Sequence, residues 1–552
     1  MNQKLTATDF RTTIWDRLLF ASVMLWTFLA LCFPLLDTDF WWHLKTGQWI
    51  IENFRVPYVD LYTFTDSDKA WIDLHWGFQV LVAVLFRLGG VPLVTLVKAA
   101  TITAAVGIAY LDGDRRLPQW LKSAIWIAPI ICICGRGNER PEMLSLLFLS
   151  MWLWIAHQCD KQPKWIWYLL PIQLVWVNSH ALFVLGLIVG FCYAVDAVTR
   201  TIMRGECGLF PRDHGPDLKT IRFVGGLVAV CCFINPYFAS GAFFPAVLYR
   251  KFSVEKDFYQ VNIGEFRPPV EFVLQHGLSN IYVIAEVIAW LVAAISFVTL
   301  LSEKARWSPF RLMLFVGFSH LGWQASRNTN IFALVAAFVA CENFADALPD
   351  HATSSASKPE KSWIDGTRIM LCAMACLSIA VVTGLWNEIA ERNKPFGLGE
   401  APNWFIHDAA KFAGQDGFPD RAFVANNGQA EVYVYHNATR GKVFMDARLE
   451  VCTQRTFELY NNVLANMSHG DTHWQSLFSD GELPVVILDS RTARPAISGM
   501  LNTPHWRMVF ADRAGAVFLH ESIADRLRLS AADPLPLMYP DGPPKEKSKL
   551  PQ

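Results

Sequence analysis

Two aspartates directly follow the first hydrophobic segment of the chain, in the run Asp37-Thr-Asp39-Phe-Trp41-Trp42-His43. A carboxylate at a membrane boundary costs free energy unless it stays hydrated or has a partner, so such groups are candidates for function. One chemistry for this acid is general-base catalysis, in which it takes the proton of an attacking hydroxyl or amine. Two alternatives stay open. The Trp pair anchors the chain at the interface, or Asp37 caps the end of the first helix region while Asp39 pairs with Lys45.

Metal binding is a further chemistry for the same two aspartates. Carboxylates suit Mg²⁺ or Mn²⁺, so a metal ion shared by Asp37 and Asp39 is an alternative to direct proton transfer. The sequence has no paired C-x-x-C spacing of a zinc site. Its net charge of −1 gives no reason to expect a nucleic-acid partner.

The composition is that of a polytopic membrane protein. The 552 residues are 53% hydrophobic and 18% charged, whereas soluble domains are nearer a quarter charged. Runs of membrane-spanning length predict about 11 spans, near 18–36, 93–111, 120–135, 142–157, 164–179, 181–197, 221–236, 280–301, 308–324, 329–345 and 367–386. The first run is too long for a signal-peptide core, which predicts a retained anchor with Lys4, Arg11 and Arg17 in the cytoplasm.

The stretch 76–88 is either a twelfth span or a surface helix, and the basic residues of the loops decide between the two. If it lies flat in the interface, loops such as 198–222 fall on the cytoplasmic side, as the positive-inside rule expects. Gly89-Gly90 followed by Pro92 then bends the chain into the second span. This arrangement puts the N-terminus in the cytoplasm and the C-terminal domain outside the membrane.

Polar clusters at the span ends all fall on the outer face in this arrangement, which predicts a shared polar cavity there. Arginine holds phosphate through charge-assisted, often bidentate bonds, so Arg140 and Arg327 are the first candidates for binding a lipid phosphate. Snorkelling or local pairing is the alternative for each. The other candidate substrate-binding residues are His43 and His75, as orienting groups, and Asn178, His180, Arg250 and Lys251.

The chain is predicted to have two domains and a tail. Residues 1–387 form the membrane domain, including a long first outer loop (37–92) with surface helices. From residue 388 the composition turns soluble, with strand-like runs at 422–425, 431–435, 442–445, 484–488 and 516–519. Helical stretches at 452–466 and 491–501 separate them, which predicts an extracytoplasmic α/β domain over 388–532. The Pro- and Lys-rich tail 533–552 is predicted to be disordered.

The order of these features resembles the glycosyltransferase C superfamily. That group includes the dolichyl-phosphate-mannose–protein mannosyltransferases and the aminoarabinose transferase of lipid A. More narrowly, the chain resembles a bacterial subfamily with the pattern D-x-D-x-W-W-H-L. The matching residues are Asp37 to Leu44, Arg55 to Asp60, Phe64-Thr65, His75-Trp76, Arg140-Pro141, Trp176 to His180, Asn235-Pro236 and Arg327-Asn328.

The resemblance implies a glycosyltransferase of the bacterial inner membrane and cell envelope. Such an enzyme moves a sugar from a polyprenyl-phosphate-linked donor to an acceptor on the outer, periplasmic face, either a lipid, a polysaccharide or a protein. The first-loop acid, Asp39 or Asp37, would be the catalytic base, and the donor and membrane lipids would be the partners. The Trp-Trp-Asp motif of the oligosaccharyltransferase branch is absent, so transfer of an oligosaccharide to asparagine is not expected.

Two other functions stay open. One is a transporter or flippase of lipid-linked glycans, and the other is a non-catalytic membrane assembly subunit. A transporter needs charged groups near the bilayer midplane, and Glu286 is the only clear mid-span acid. The clustering of polar residues at one face therefore favours the enzyme.

Overall fold

The computed structural model describes residues 14–66, 69–112, 117–202, 215–277, 280–302, 308–347, 361–391, 394–478 and 481–538. The chain divides into two compact units. The helical unit is Met1–Leu35 with Leu88–Gly399, and the α/β unit is Leu36–Arg87 with Glu400–Gln552. The basic residues predicted at 203–214, the linker around 348–360 and the tail beyond 538 lie outside the described residues.

Most of the first outer loop, up to Arg87, belongs to the α/β unit, whereas the sequence-based division kept 37–92 with the membrane domain. Three contacts explain the grouping. The helix that starts at Asp39 packs against the helix over 427–437. Thr63 forms a β-bridge with Val443, and Asp60 pairs with Arg448. Contacts between residues far apart in sequence are invisible to a reading of local hydrophobicity, which places loops with the spans that flank them.

Helices make up most of the described chain. In chain order they are α1 (Ile14–Leu31), α2 (Asp39–Asn53), α3 (Trp76–Asp112), α4 (Gln119–Gly135), α5 (Glu142–Cys159), α6 (Leu169–Val177), α7 (Val184–Ile202), α8 (Leu218–Cys231), α9 (Phe238–Val254), α10 (Lys256–Asn262), α11 (Pro269–His276), α12 (Ile281–Ser302), α13 (Pro309–Gln324), α14 (Thr329–Ala347), α15 (Lys361–Val382), α16 (Leu385–Ile389), α17 (His407–Ala413), α18 (Asn427–Asn437), α19 (Gln454–Ser468), α20 (Arg494–Leu501), α21 (Glu521–Arg526) and α22 (Leu535–Met538).

Each of the eleven predicted spans coincides with a helix. Among the described residues, six helical segments are long and apolar enough to cross a membrane: Ile14–Leu31, Trp76–Asp112, Ala181–Ile202, Ile281–Leu301, Ser326–Ala347 and Asp365–Val382. A shorter apolar helix covers Gln119–Gly135. The chain is therefore a mostly helical protein with several apolar helices, as predicted, and the count of eleven stays a prediction.

Helix α14 is the centre of the helical unit. It packs against α4, α12 and α13, and nearly all of its residues are buried. Its sequence is rich in alanine, and small side chains let apolar helices approach closely. This close packing fixes the ends of the neighbouring helices, which carry the polar clusters described below.

The predicted bend lies at Gly89-Gly90, inside α3. Both residues leave helical geometry, and Gly90 has φ +62° and ψ −161°. Only glycine adopts that backbone conformation without strain. The two parts of α3 belong to different units, because the division falls between Arg87 and Leu88. The Gly-Gly-x-Pro pattern therefore marks a real break between two helices, as the sequence predicted.

The α/β unit contains a five-stranded sheet in the order β2-β1-β3-β5-β4. Its strands are β1 (Arg421–Val424), β2 (Lys442–Val443), β3 (Val485–Asp489), β4 (Trp506–Ala511) and β5 (Gly515–His520). β1 is parallel to β2 and β3, whereas β5 is antiparallel to β3 and β4. The predicted helical stretches correspond to α19 and α20. Strand β4 was not predicted; it pairs with β5 alone and its register is interrupted between Met508 and Phe510.

The prediction of a strand at 431–435 is wrong, because these residues lie within α18. The Asn426 side chain accepts a hydrogen bond from the Gly428 amide, which starts the helix. Val432, Tyr433 and Val434 are all buried. A helix buried on several sides shows no amphipathic period, so its β-branched and aromatic residues resemble a strand in the sequence.

Candidate active site

The acidic motif lies at the start of α2, six residues after α1 ends. The Asp39 amide donates to Asp37 Oδ1 over 3.1 Å, so the Asp37 carboxylate is bonded to the first residue of α2. Asp37 is buried, at 7% exposure, and Asp39 is half-buried. Because α2 is helical from Asp39 onward, residues three and four further along, Trp42 and His43, share its face. The short helical continuation that favoured Asp39 over Asp37 is therefore present.

His43 and His75 come together in the α/β unit, as the site prediction requires. Their ring centroids are 5.5 Å apart. Gln79 Nε2 lies 3.5 Å from His43 Nδ1 and donates to Asp73 Oδ1 over 3.0 Å. His75 Nδ1 lies 3.4 Å from the same Asp73 oxygen. We refer to His43, Asp73, His75 and Gln79 as the histidine cluster.

Asp73 organises the histidine cluster; the sequence indicated it only as the partner of His75 in a polar group at the predicted outer face, without a role in the site. Its side chain is completely buried, and Oδ1 also accepts from the His75 amide over 3.1 Å. Oδ2 has no hydrogen-bond partner among the described residues. A carboxylate beside an imidazole fixes the ring's orientation and tautomer. The only sequence signal for Asp73 was its position two residues before His75.

A glycine lets the two helices of this cluster approach each other. A Cβ on Gly47 of α2 would lie 2.1 Å from the Gln79 carbonyl oxygen and 3.0 Å from the Ala83 Cβ. A distance of 2.1 Å between a Cβ and a carbonyl oxygen is shorter than any real contact, so no residue with a side chain fits in place of Gly47. The close approach brings His43, one turn before Gly47, within reach of Gln79.

A buried arginine supports the same region from the C-terminal part of the α/β unit. Arg448 Nε and Nη2 donate to Asp446 Oδ2 over 2.9 and 2.6 Å, and Nη2 also donates to Asp60. The guanidinium carbon lies 4.4 Å from the ring centroid of Trp71 and 4.7 Å from that of Tyr62. We refer to Arg448, Asp446 and Asp60 as the buried ion triad.

The two carboxyl groups of the triad differ in pKa. Burial would raise the pKa of Asp60, but Arg448 and hydrogen bonds from Thr63 lower it overall. For Asp446 burial dominates, and the neighbouring Asp60 charge acts in the same direction, so its pKa is raised. Two carboxylates facing one guanidinium explain this divergence. Nothing in the local sequence distinguishes Arg448 from a surface arginine, so the triad was not predicted.

Three arginines meet around one glutamate in the helical unit. Arg136 Nη2 donates to Glu265 Oε2 over 2.8 Å, and Arg140 Nη1 lies 3.4 Å from both oxygens of that carboxylate. Arg327 Nη2 lies 3.8 Å from Glu142 Oε1. We refer to these five residues as the arginine cluster. It contains both predicted phosphate-binding residues, Arg140 and Arg327, and adds Arg136, which the prediction left out.

The arginine cluster carries an excess of positive charge. Burial would raise the pKa of Glu265, but Arg140, Arg136 and Arg327 hold it well below its usual range. Its carboxylate is therefore ionised at neutral pH. Among these five residues three guanidinium groups accompany two carboxyl groups, so the formal charge of the cluster is one positive. The arginine side chains are 18 to 30% exposed, so a ligand can reach them, and an anion is the ligand they favour.

Aromatic rings link Lys251 to the arginine cluster. Its ammonium lies 5.9 Å from the ring centroid of Tyr259, which stacks on Phe266 at 5.6 Å. The Arg327 guanidinium lies 5.0 Å from the ring centroid of Phe266. The neighbouring Arg250 is exposed near the end of α9. Lys251 thus retains its place as a secondary candidate for binding phosphate.

His180 and Asn178 make local contacts that support the helices. His180 Nδ1 lies 2.7 Å from Ser145 Oγ, which also accepts from Trp176 Nε1 over 2.8 Å. The Asn178 amide donates to the carbonyl groups of Leu174 and Ile234, both over 2.9 Å. These bonds join the end of α6 to α5 and to the connection after α8. A substrate role for either residue stays a prediction.

No group of three or more His, Cys, Asp or Glu side chains suited to a metal ion occurs in the part of the chain that the structure describes. Asp37 and Asp39 supply two carboxylates. A Mg²⁺ or Mn²⁺ ion bound there would need further ligands from water or substrate, which is common for Mg²⁺.

The fold is similar to that of solved membrane glycosyltransferases. No protein-family model matches the sequence, and no curated protein matches it. The archaeal oligosaccharyltransferase AglB from Archaeoglobus fulgidus, in complex with an inhibitory peptide and a dolichol-phosphate, has a TM-score of 0.55 and 11% identity over 86% of this chain and 69% of that chain. The apo form of the oligosaccharyltransferase from the same organism gives 0.54 and 12% identity over 87% and 70%.

A second enzyme, ArnT from Cupriavidus metallidurans bound to undecaprenyl phosphate, has a TM-score of 0.49 and 12% identity over 91% of this chain and 97% of that chain. The similarity to the oligosaccharyltransferase confirms the expected glycosyltransferase C fold. The narrower resemblance to a bacterial subfamily stays a prediction.

Proposed function

We propose that the chain is a membrane glycosyltransferase that moves a sugar from a polyprenyl-phosphate donor to an acceptor on the outer face of the membrane. The observation that carries the proposal is the arginine cluster, a partly exposed site with one excess positive charge at the ends of apolar helices. A lipid-linked phosphate has its tail in the bilayer and its anionic group at this kind of position. The fold supports the proposal, because the similar AglB structure holds a dolichol-phosphate.

In the proposed reaction, Asp39 or Asp37 accepts the proton of the acceptor's hydroxyl or amine. The acceptor atom then forms a bond to the anomeric carbon of the sugar, and the bond from that carbon to the phosphate oxygen breaks. The electron pair stays on the lipid phosphate, where arginine N–H groups stabilise the developing charge. His43 and His75, held by Asp73, orient the acceptor.

A metal ion at Asp37 and Asp39 is the alternative within the same function. Its chemistry would be that of a Lewis acid, with the two carboxylates as its protein ligands. Under this alternative both aspartates act as ligands, and one aspartate alone does not hold the metal ion. Chelation separates the two mechanisms, as described in the Discussion.

A transporter of lipid-linked glycans and a non-catalytic assembly subunit are the competing functions. Glu286 of α12 is buried, and its Oε2 accepts from Thr329 Oγ1 over 3.3 Å. This is the kind of intramembrane acid that a transporter uses. A transporter has no need of a base at Asp37 or Asp39, so sugar transfer that depends on these residues favours the enzyme.

The proposal includes an orientation in the bacterial inner membrane, with the N-terminus in the cytoplasm and residues 388–532 outside. We expect a reporter fused after residue 215 to be active in the cytoplasm, and one fused after residue 420 to be active in the periplasm. The basic residues of the inner loops are the physical reason. If both fusions report the same side, the arrangement of eleven spans is wrong.

Phosphate capture by the arginine cluster is the direct test of the proposed function. We expect Arg140→Ala and Arg327→Ala to weaken binding of a polyprenyl phosphate by about 2–5 kcal/mol each, the usual loss for one partner of a desolvated charge pair. Binding is measured on the purified chain in lipid nanodiscs with undecaprenyl phosphate as the ligand.

Arg222→Ala is the matched control, because Arg222 is an exposed arginine of α8, near the predicted cytoplasmic end. Its binding should equal that of the unaltered chain. Arg140→Lys keeps the charge but loses the planar fork of N–H groups, so it should recover only part of the affinity. Folded Arg140→Ala and Arg327→Ala proteins that bind as tightly as the unaltered chain would contradict the proposal.

A further inference from the structure

The α/β unit contains a cleft that none of the sequence-predicted site residues line. Its volume is about 760 Å³, within the range of roughly 300–1,000 Å³ for small-molecule sites. The walls come from the start of α2, the segment 400–411, the end of α18 and the turn 512–514 between β4 and β5. Trp41 of the acidic motif forms part of one wall, two residues after Asp39.

A chain of hydrogen bonds runs along the cleft. His407 Nε2 lies 3.1 Å from Glu400 Oε2, and His407 Nδ1 lies 2.9 Å from His436 Nε2. When His407 is neutral, the Glu400 carboxylate requires the proton to be on Nε2. Nδ1 then accepts from His436 Nε2–H, which leaves His436 Nδ1 as an acceptor.

His436 stays neutral over the physiological range. Burial lowers its pKa to about 4, and the nearby Lys411 and Lys45 act in the same direction. A neutral imidazole at the end of a carboxylate–histidine–histidine chain accepts a hydrogen bond from a hydroxyl group. The glycosyl transfer proposed above uses none of these three residues.

Aromatic side chains form the other part of the walls. Trp404 and Tyr435 are half-buried, whereas Trp41 is only 1% exposed and packs against His407 edge to face at 4.5 Å between centroids and against Tyr435 at 4.9 Å. Trp404 is held rigidly, because its Nε1 donates to the Leu36 carbonyl over 2.7 Å and the Arg491 guanidinium covers its ring at 3.7 Å. Rigid Trp and Tyr rings offer apolar surfaces with polar edges.

The charge of the lining argues against a strongly ionic ligand. Three carboxylates and two cationic groups line the cleft: Glu400, Asp408, Asp512, Lys411 and Arg513. The near balance does not select for a phosphate or a polycation. Flat aromatic surfaces combined with many hydrogen-bonding groups match a sugar ring, which has apolar C–H faces and a rim of hydroxyl groups that both donate and accept.

We infer that this cleft binds a neutral saccharide, namely the glycan part of the acceptor, with His436 Nδ1 accepting a hydroxyl hydrogen bond and the half-buried rings of Trp404 and Tyr435 contacting the sugar faces. The inference rests on the proposed glycosyl transfer and adds the chemical class of the acceptor. The cleft and the candidate base Asp39 belong to the same unit, and Tyr435 of the cleft packs against Trp41, two residues after Asp39 on helix α2.

The test uses the full-length chain in lipid nanodiscs and a panel of fluorescently labelled neutral oligosaccharides of hexoses, N-acetylhexosamines and deoxyhexoses, with unstructured peptides for comparison. Binding is followed by fluorescence anisotropy. We expect at least one oligosaccharide to bind, and His436→Gln to weaken it about tenfold, the effect of losing one well-placed hydrogen bond. His473→Gln, at an 87% exposed histidine of the same unit, should bind normally.

Glu400→Gln provides a second test at a side chain that is 40% exposed, in case His436→Gln lowers expression. It also weakens binding if the hydrogen-bond chain orients His436. The inference is overturned if no oligosaccharide binds at millimolar concentration, if only peptides bind, or if both variants bind as tightly as the unaltered chain. Asp37→Asn with Asp39→Asn separates the two proposals, because it should abolish transfer and leave oligosaccharide binding intact.

Discussion

Replacing both acids of the first-loop motif, Asp37→Asn with Asp39→Asn, is expected to lower sugar transfer at least about a hundredfold while expression stays normal. General-base catalysis contributes roughly 10²–10⁴-fold, and asparagine keeps the shape of aspartate but has no basicity. The structure makes Asp37→Asn a clean change, because the amide oxygen of asparagine can still accept the hydrogen bond from the Asp39 amide that starts α2. Transfer is measured with purified chain, a polyprenyl-phosphate sugar donor and an outer-face acceptor.

Single variants identify the base. We expect Asp39→Asn to cause the larger loss, because Asp39 is half-buried and shares a helix face with His43, whereas the Asp37 carboxylate already accepts a hydrogen bond from the Asp39 amide. Glu52→Gln, at an exposed acid of the same helix, is the matched control and should leave transfer unchanged. Full activity in both single variants and in the double variant would restore the transporter or assembly-subunit interpretation.

Chelation distinguishes a base from a metal ligand. If Asp37 and Asp39 hold a metal ion, a chelator abolishes transfer and added Mg²⁺ or Mn²⁺ restores it, while both single variants lose activity together. If one aspartate acts as a base, transfer continues in the presence of the chelator.

Removing the central cation of the buried ion triad is expected to destabilise the α/β unit by about 3–5 kcal/mol, because an uncompensated buried charge is left behind. In Arg448→Met, Asp60 and Asp446 face each other in the interior with no guanidinium between them. For a unit of this size the loss corresponds to a fall in melting temperature of about 6 to 20 °C. The fall in melting temperature is measured by heating the full-length chain in detergent. The readout is the protease resistance of the α/β unit at each temperature.

The matched control removes all three charges together. Asp60→Asn, Asp446→Asn and Arg448→Met in one protein should regain much of the lost stability, because an apolar or neutral replacement of a complete buried ion group is often tolerated. An unchanged melting temperature in Arg448→Met alone would show that the triad does not stabilise the unit.

The sequence was most informative where one local pattern determines the structure. Apolar length located the long apolar helices of the described chain, and Gly89-Gly90 marked a break because few residues tolerate its backbone geometry. The acidic motif stood out because charges beside a span are rare. Arg140 and Arg327 were recognised for the same reason, and the structure brings them into one cluster.

Features that depend on distant contacts escaped prediction. Glu265 belongs to a predicted outer-face polar cluster, but its partners Arg136 and Arg140 are 129 and 125 residues away in the sequence, so their contact was not predicted. Arg448 looks like a surface residue until its partner Asp60 is known. Helix α18 was taken for a strand because burial on several sides removes the period on which the prediction relied. The cleft of Glu400, His407 and His436 unites segments that have no common motif.

The division of the α/β unit into two separate stretches of chain sets the order in which the protein can fold during synthesis. Asp60 and its partner Arg448 are 388 residues apart. At synthesis rates of about 5–20 residues per second, the first stretch waits about 20 to 80 seconds for the second. During this time Trp42, Tyr62 and Trp71 lack the guanidinium on which they pack, and Asp60 lacks its counter-charge. A nascent chain that stalls before Arg448 therefore exposes aromatic surface from its first loop, which gives proteases and chaperones a means to recognise an unfinished molecule.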